Sequence, residues 1–518
     1  MLTPATLGDL LAATARADGD ASAFRYGDER LSYADWDALA TRVAGGLAAA
    51  GVRRGDVVAL LLPTTPLYMM CYLGAARLGA VTTGINVRYR RTEIGHILRR
   101  SGAALLLAAE SWHDVPFRSI VAELRADLPE LRDTRWVTGD DLRASTRSAL
   151  DALGLAGPAP PGGPTGDDPV AIVWTSGTTG VPKGAWYAHR SLLALAEIEA
   201  RRHAGGLPRR ERHLASGLSF AHVGAMARIG VQLASAGETI IYDGFDPATV
   251  LAAIERERIV NLGAFPTQAI MLLDHPDRAR RDLSSLRSVL LGGAPSSPAL
   301  IRRVQETFGA RVAVRYSSTE VGIATGSLPD DPIEVLSTTV GKPTPGVELR
   351  VVDAEGRAVP ADAIGRVIVR SPATMCGYWR DPDATAAVLD GEGWVHTGDL
   401  GWLDADGYLH LRGRQSEMFI RGGFNVYPAE IEDLLARHPK IARAAIVGLP
   451  DDVFGEVGWA FVVARDAADP PTLAELRAWV GDELASFKRP DGLTLLPELP
   501  LTPMFKVDKK VLAARGRQ

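Results

Sequence analysis

The chain has 518 residues, 46% of them hydrophobic and 23% charged. At ~100–200 residues per domain it should fold as several units, with cores large enough to need no disulfide or metal staple, and its apolar content excludes general disorder. Lys and Arg total 57 against 62 Asp and Glu, a formal charge of −5 that argues against a nucleic-acid binder.

Cys71 and Cys376 fit neither a disulfide framework nor a zinc spacing, so they read as small buried hydrophobes in a reducing, cytoplasmic setting. The first twenty residues lack the basic and apolar runs of a signal peptide. The most apolar stretch, PLYMMCYLGAARLGAVTTGI, contains Arg77 and several glycines, and reads as a buried helix plus a strand rather than a membrane span.

In chain order, YADWDALATRVAGGLAAAG has helical spacing and ends at Gly51. DVVALLL suits a buried parallel strand, and a helix over 66–78 and a strand near GAVTTGI follow. LGLAGPAPPGGPTGDDP reads as a surface linker, after which VAIVWTSG restarts an α/β rhythm that runs to about residue 335. Between 339 and 412, VELRVVD, GRVIVRS and GYLHLRG suggest a small β-rich subdomain. From about 415, ARAAIVGLP, WAFVVA and the helical LAELRAWVGDELA form a compact α+β unit. The expected fold is therefore α/β: two α/β subdomains and a β-rich subdomain in a large N-terminal domain, then a small α+β domain.

WTSGTTGVPKGAWYAHR, residues 174–190, follows an apolar strand and precedes a helical pattern. Its glycines allow close approach of backbone N–H groups, its hydroxyls donate, and Lys183 adds charge, which together make a phosphate-holding loop. It is not a Walker loop, because Pro182 stands where the second glycine would fall. The bland alternative is a flexible Gly/Thr linker.

TSGTTGVPKG resembles the phosphate loop of the adenylate-forming superfamily, which contains acyl-CoA synthetases, peptide-synthetase adenylation domains and firefly luciferase. Further resemblances appear in the family's order: YSSTE at 316–320 with Ser317 where Gly is usual, GWVHTGDLG at 393–401, GRQSEMFIRGGFNVYPAEIE at 413–432, and PLTPMFKVDKKVL at 500–512. The likeness covers nearly the whole chain and is strongest for acyl-CoA synthetases. It implies an N-terminal domain over 1–412, a hinge at 413–417 and a mobile C-terminal domain over 418–518.

The resemblance also implies roles. Thr175, Ser176, Gly177, Thr178, Thr179, Gly180 and Lys183 would hold the ATP phosphates. Gly293, Ala294 and Pro295, in the GGAP run that starts at Gly292, would wall the adenine. Tyr316 can stack on a base, Thr319 can donate to phosphate and Glu320 can hold Mg²⁺, with Ser318 beside them, although a lone Glu is as readily a solvated loop acid. Asp399, following Gly398 in a tight turn, would take ribose hydroxyls, and Arg414 would pair with ribose or phosphate. Lys506, preceded by Phe505 where Gly is usual, would bridge the attacking carboxylate and the α-phosphate. Gly422 and Gly423 would line the thiol tunnel in a second pose of the C-terminal domain. The pivot, usually Asp or Lys, is Ser416 here, followed by Glu417, and Lys488 reads as a solvated or CoA-facing charge.

ATP, Mg²⁺ and CoA are thus expected, with a small carboxylic acid as substrate, no nucleic-acid or integral-membrane partner, and a homodimer left open. Ala221 follows Phe220 where amino-acid-activating members place an Asp, which disfavours an α-amino acid. His222 falls where acyl-CoA synthetases carry a His or aromatic residue near the acyl entrance, and a buried structural His is the alternative. The pocket segments HVGAMARIG, LGAFPTQ and VGIATG are apolar and rich in small residues, so fatty, aryl and polycyclic acids all remain open. Three functions stand: an acyl-CoA synthetase, an adenylating enzyme with another acceptor, and a silent ATP-binding module.

Overall fold

The computed structural model describes residues 4–516, except 159–161, 176–181, 203–206, 218, 294–295, 329, 416, 423 and 503–505. Its first sheet has seven strands in the order Gly377–Tyr378, Lys183–Ala188, Pro169–Thr175, Val81–Gly84, Val57–Leu61, Ala103–Ala109 and Asp133–Val137. Val57–Leu61 and Ala103–Ala109 are buried at every position, as parallel strands covered on both faces require. The helix Pro66–Leu78 starts on its proline and stops at Gly79, whose φ of 77° closes the last turn. It packs against the helix Tyr33–Ala49, which opens with a Ser32–Asp35 capping box.

The second sheet has nine strands, running from Lys342–Pro343 through Gly322–Gly326, Arg311–Ser318, Ser288–Gly292, Asn261–Ala264, Arg212–Ser216, Glu238–Tyr242 and Ser22–Tyr26 to Glu29–Ser32. One face of its central strands, carrying Leu262, Val289, Leu291, Val312 and Val314, is buried in a core with Val250, Ile254, Leu272 and Ile301. The opposite face behaves differently. Gly263 is exposed, and Asn261, Ser288, Leu290, Gly292, Ala313 and Arg315 are all only partly buried, although they sit on central strands. The helix Val223–Ser235 lies in the layer between the two large sheets, with Val223, Met226, Ile229 and Leu233 in the larger core.

A third, antiparallel sheet contains Glu348–Val352, Gly365–Arg370, Val395–Leu403 and Leu409–Arg414. A fourth contains Phe424–Val426, Phe419–Arg421, Gly455–Ala464 and Ile441–Asp451, with Gly492–Leu495 added parallel to Gly455–Ala464. The architecture is the expected one: a large N-terminal α/β part with a β-rich unit, then a small α+β part. Among the described residues no helix is long and apolar enough to cross a membrane.

Three expectations are corrected. The start of the Pro/Gly-rich linker is not at the surface, because Leu153 and Leu155 are buried and Gly157 lies against the backbone of Gly45. Asp399 lies inside the strand Val395–Leu403 rather than in a turn; Gly398, with φ 76°, supplies the turn-like signal within it. Cys71 is buried as expected, but Cys376 is only half-buried.

A Cβ at Gly46 would stand 2.6 Å from the backbone N of Ala156, so the helix Tyr33–Ala49 meets this segment at backbone distance. Gly46→Ala should lower stability by about 1–3 kcal/mol through overpacking, read as a lower denaturant midpoint at unchanged m.

Candidate active site

The site forms where the central strands of the nine-stranded sheet end and the third sheet meets them. In open α/β sheets, ligands bind at the carboxyl ends of such strands. Arg311–Ser318 delivers Tyr316 there, and the strand Val395–Leu403 delivers Asp399. The Tyr316 hydroxyl donates to Asp399 Oδ2, and Arg414 Nε stands 3.2 Å from Asp399 Oδ1. Asp399 is only 6% exposed. Burial pushes its carboxyl pKa up, and the Arg414 charge and the Tyr316 hydrogen bond pull it back. Burial and Asp399 together hold the Tyr316 phenol well above its ordinary range. For Arg414 burial works against the charged form, but Asp399, Tyr316, Glu320 and Glu417 outweigh it.

Glu320 is held from two sides: Ser318 Oγ donates to one carboxylate oxygen and Tyr378 Oη to the other, each at 3.0 Å. Tyr378 also carries the Lys183 ammonium 5.2 Å from its ring centroid. Lys183 pairs in register with Thr175 across the hairpin formed by Pro169–Thr175 and Lys183–Ala188, so the two ends of the candidate phosphate loop are fixed side by side. Buried Tyr187 donates to the Thr319 carbonyl, which leaves the Thr319 hydroxyl without a hydrogen bond among the described residues. Ser176, Gly177, Thr178, Thr179, Gly180, Ala294, Pro295, Ser416 and Gly423 lie outside the described residues.

Lys506 enters this cleft from the C-terminal part of the chain. The Cβ position of Gly293, whose φ is 81°, lies 3.6 Å from Lys506 Cε and 2.8 Å from the Phe265 ring. Glycine suits that turn, because a Cβ would strain its φ and press on the Phe265 ring. The ammonium keeps access to solvent, yet burial by the cleft lowers its pKa and Arg414 lowers it further, while Asp399, Glu320 and Glu417 oppose. Lys509 Nζ binds Glu417 and Glu432, each at 2.9 Å, and so ties the last helix to the junction segment.

His222 caps the helix Val223–Ser235 by accepting the Gly224 N–H on Nδ1 at 3.1 Å. Burial, and then Lys506, lower its pKa to about 4, so it is neutral at pH 7, with its proton on Nε2. Gly422 does not join these groups: its N–H donates to the Phe454 carbonyl at 2.8 Å within the C-terminal part. Lys488 is not a solvated charge, because it is largely buried and bound to Glu430 at 2.7 Å. Tyr378 and Tyr187 were missed in the sequence because no local motif marks them. The short pairing of Gly377–Tyr378 with Lys183–Ala188 is what brings Tyr378 in. Arg228 was hidden in a segment read as apolar, and it is accessible on the helix that His222 caps.

The chain matches the AMP-binding enzyme family over residues 11–379 and the AMP-binding enzyme C-terminal domain over residues 430–506. It belongs to this adenylate-forming family of enzymes. Within it, the chain stands near the acyl-CoA synthetases. It is 35% identical over 534 aligned residues, 98% of both chains, to 3-[(3aS,4S,7aS)-7a-methyl-1,5-dioxo-octahydro-1H-inden-4-yl]propanoyl:CoA ligase of Rhodococcus jostii (strain RHA1). It is 36% identical over 512 residues, 97% of both chains, to the feruloyl-CoA synthase of an Amycolatopsis species. The amide bond synthetase McbA of Marinactinospora thermotolerans superposes with a TM-score of 0.84 at 30% identity, covering 98% of this chain and 100% of that one.

Three partly or fully buried histidines set an acid limit. Burial lowers His189 and His222 to about 4 and His213 to about 3, from an ordinary 6.5. The unfolded chain therefore binds more protons as pH falls through 6.5, and stability present above that pH is lost toward 4. The midpoint of thermal unfolding should drop between pH 7 and pH 4. His189→Gln should make that decline shallower, because His189 is fully buried and its Nδ1 accepts the Leu7 N–H, leaving an imidazolium no place there.

Proposed function

We propose that the chain is an ATP-dependent acyl-CoA synthetase that activates a hydrophobic carboxylic acid without an α-amino group. The observation that carries this reading is the arrival of Lys506 beside Gly293, within reach of the charges of Asp399, Glu320 and Arg414 and close to neutral His222. A lysine ammonium directed between an acyl entrance and a nucleotide cleft suits a reaction in which two anions must meet. The relatives whose names specify aromatic or fused-ring acids support a bulky, ring-bearing substrate.

In this reading a carboxylate oxygen attacks the α-phosphorus of ATP. The O–P bond of the acyl-adenylate forms as the α–β bridging bond breaks, and pyrophosphate leaves with the electron pair. Lys506 and the free Thr319 hydroxyl stabilise charge on the α-phosphate, and Lys183 holds the departing pyrophosphate. Tyr316 and Gly293 border the base, and Asp399 takes the ribose hydroxyls beside Arg414. Neutral His222 stands at the acyl entrance and adds no charge to repel or trap the acid.

Among the described residues no group of three or more His, Cys, Asp or Glu forms a ready metal cage. The Glu320 carboxylate, steadied by Ser318 and Tyr378, fits a Mg²⁺ that arrives with the nucleotide and takes its other ligands from phosphate and water. When bound there, that ion neutralises phosphate charge.

The CoA thiolate then attacks the acyl carbon, the thioester forms and AMP leaves. We assign residues 1–412 to the larger domain, 413–417 to the hinge and 418–518 to a domain that turns between the two steps. Supporting this, Ile420, Phe424, Val453 and Phe454 near Gly422 stay exposed, although Phe424 stacks on Phe487 and Arg421 lies over the Phe454 ring. A turn that brings Gly422 to the cleft would cover that surface and withdraw Lys506. We place the enzyme in the cytoplasm, where ATP and CoA are supplied. A second reading, in which the acyl group passes to an amine or a carrier protein, is favoured by the likeness to an amide bond synthetase.

Lys506→Ala should cut pyrophosphate release from ATP plus acid by at least about 100-fold. CoA consumption from pre-made acyl-adenylate should stay within a few-fold of wild type, with unchanged circular dichroism. Near-wild-type pyrophosphate release would remove Lys506 from the first step. Acyl-adenylate formed without any use of CoA would favour the second reading.

A further inference from the structure

The space under His222 is not uniformly apolar. Along the helix Val223–Ser235, Val223, Ala225, Met226, Ile229 and Gly230 are buried, whereas Gly224, Ala227 and Val231 are partly accessible and Arg228 is exposed. Positions 224, 228 and 231 share one helical face. Neighbouring protein atoms and then Arg315 lower the Arg228 pKa, against Glu199 and Glu211, so its accessible guanidinium stands in a recess near Arg315 and not on an open surface. A side chain that is both desolvated and accessible lines a cavity. The inner sheet face opposite supplies the other wall. Gly263 is exposed there with nothing within 4 Å of its Cβ position, and Gly292 meets only the Arg315 carbonyl at 3.9 Å.

Arg228 makes no hydrogen bond or ion pair among the described residues. The two carboxylates that act on it are engaged elsewhere: Glu199 binds Arg315 at 2.5 Å, and Glu211 accepts from Asn261 at 2.8 Å. Arg315 and His213 are the other titratable groups within its field. Neither supplies a counter-charge, since His213 is held neutral by burial and then by Arg228 itself. A partly desolvated guanidinium with five donors and no acceptor is unstable company for an aliphatic tail, and it is well matched to an oxygen acceptor. Arg228 lies six residues past His222, about 9 Å along the helix axis and away from the adenylation centre.

We propose that Arg228 is a specificity residue, and that the acid this enzyme activates carries an oxygen acceptor, either a second carboxylate or a ring carbonyl, at the end remote from its reacting carboxylate. Its body is hydrophobic and fills the glycine-lined middle of the cavity, and its far end is polar. The proposal rests on the acyl-activating reading and adds the substrate's second functional group to it.

The test compares sets of acids that share one skeleton and differ only at the far end: methyl, ketone or carboxylate. Linear, cinnamate-like and fused-ring propanoate skeletons are each assayed for pyrophosphate release with wild type, Arg228→Leu and Arg228→Lys. On the preferred skeleton, wild type should favour an oxygen-bearing acid over its methyl partner by at least tenfold in kcat/KM. Arg228→Leu should abolish or invert that preference while still activating the methyl acid, which also shows that the variant is folded. Arg228→Lys should retain part of it. The proposal is overturned if the methyl acid equals or exceeds both partners on every skeleton, or if the preference survives Arg228→Leu. If no acid of any kind releases pyrophosphate, it is the acyl-activating reading that fails.

Discussion

A buried carboxylate must be paired, and the arrangement of this site follows from how Asp399 meets that demand. Moving an isolated carboxylate out of water costs several kcal/mol, which only well-placed partners offset. Asp399 takes one partner, Tyr316, from the nine-stranded sheet and another, Arg414, from the last strand of the third sheet. The pairing therefore fixes the third sheet against the ends of the central strands, and it holds Arg414, at the end of that sheet's last strand, in place. Arg414 bound to Asp399, and Lys509 bound to Glu417 three residues further on, bring the end of the chain to the same cleft. Lys506 comes with it.

The same geometry separates two kinds of chemistry. At the carboxyl ends of the strands the groups are charged and mutually constrained, with Glu320 fixed by two hydroxyls and Lys183 over the ring of one of them. On the His222 side, the helix face carries Gly224 and Arg228, and nothing lies within 4 Å of the Cβ position of Gly263. His222 stands between the two regions, neutral because burial and Lys506 disfavour its charge. At the end of that space nearest the nucleotide cleft, a carboxylate would meet Lys506, which is where reaction with a nucleotide phosphate would need a cation.

Much of this was legible in the residue order, for physical reasons that differ by element. The helix Pro66–Leu78 was read end to end because a proline opens it and a glycine with positive φ closes it. The uniformly apolar strand Val57–Leu61 was legible because parallel strands buried on both faces cannot alternate. Asp399 was placed in a turn because Gly398 carries a turn signal, and Gly398 does adopt a positive φ, but pairing with Arg414 keeps Asp399 itself in the strand. Tyr378 was illegible, since its role depends on a two-residue pairing with a strand almost two hundred positions away in the chain. Arg228 was passed over because its neighbours are apolar, and only the three-dimensional structure shows that its side of the helix faces a cavity. Lys506 was recognisable from the family resemblance, but its approach to Gly293 required the folded chain.

The central claim is that a carboxylate attacks the α-phosphorus of ATP in this cleft. The most direct measurement uses an accepted acid with both carboxylate oxygens labelled with ¹⁸O, and mass spectrometry of the nucleotide and pyrophosphate after a full turnover with CoA. The account predicts one ¹⁸O in the AMP phosphate for each thioester formed, with one retained in the acyl group and none in pyrophosphate. Label in pyrophosphate or orthophosphate, or AMP formed without label, would contradict it.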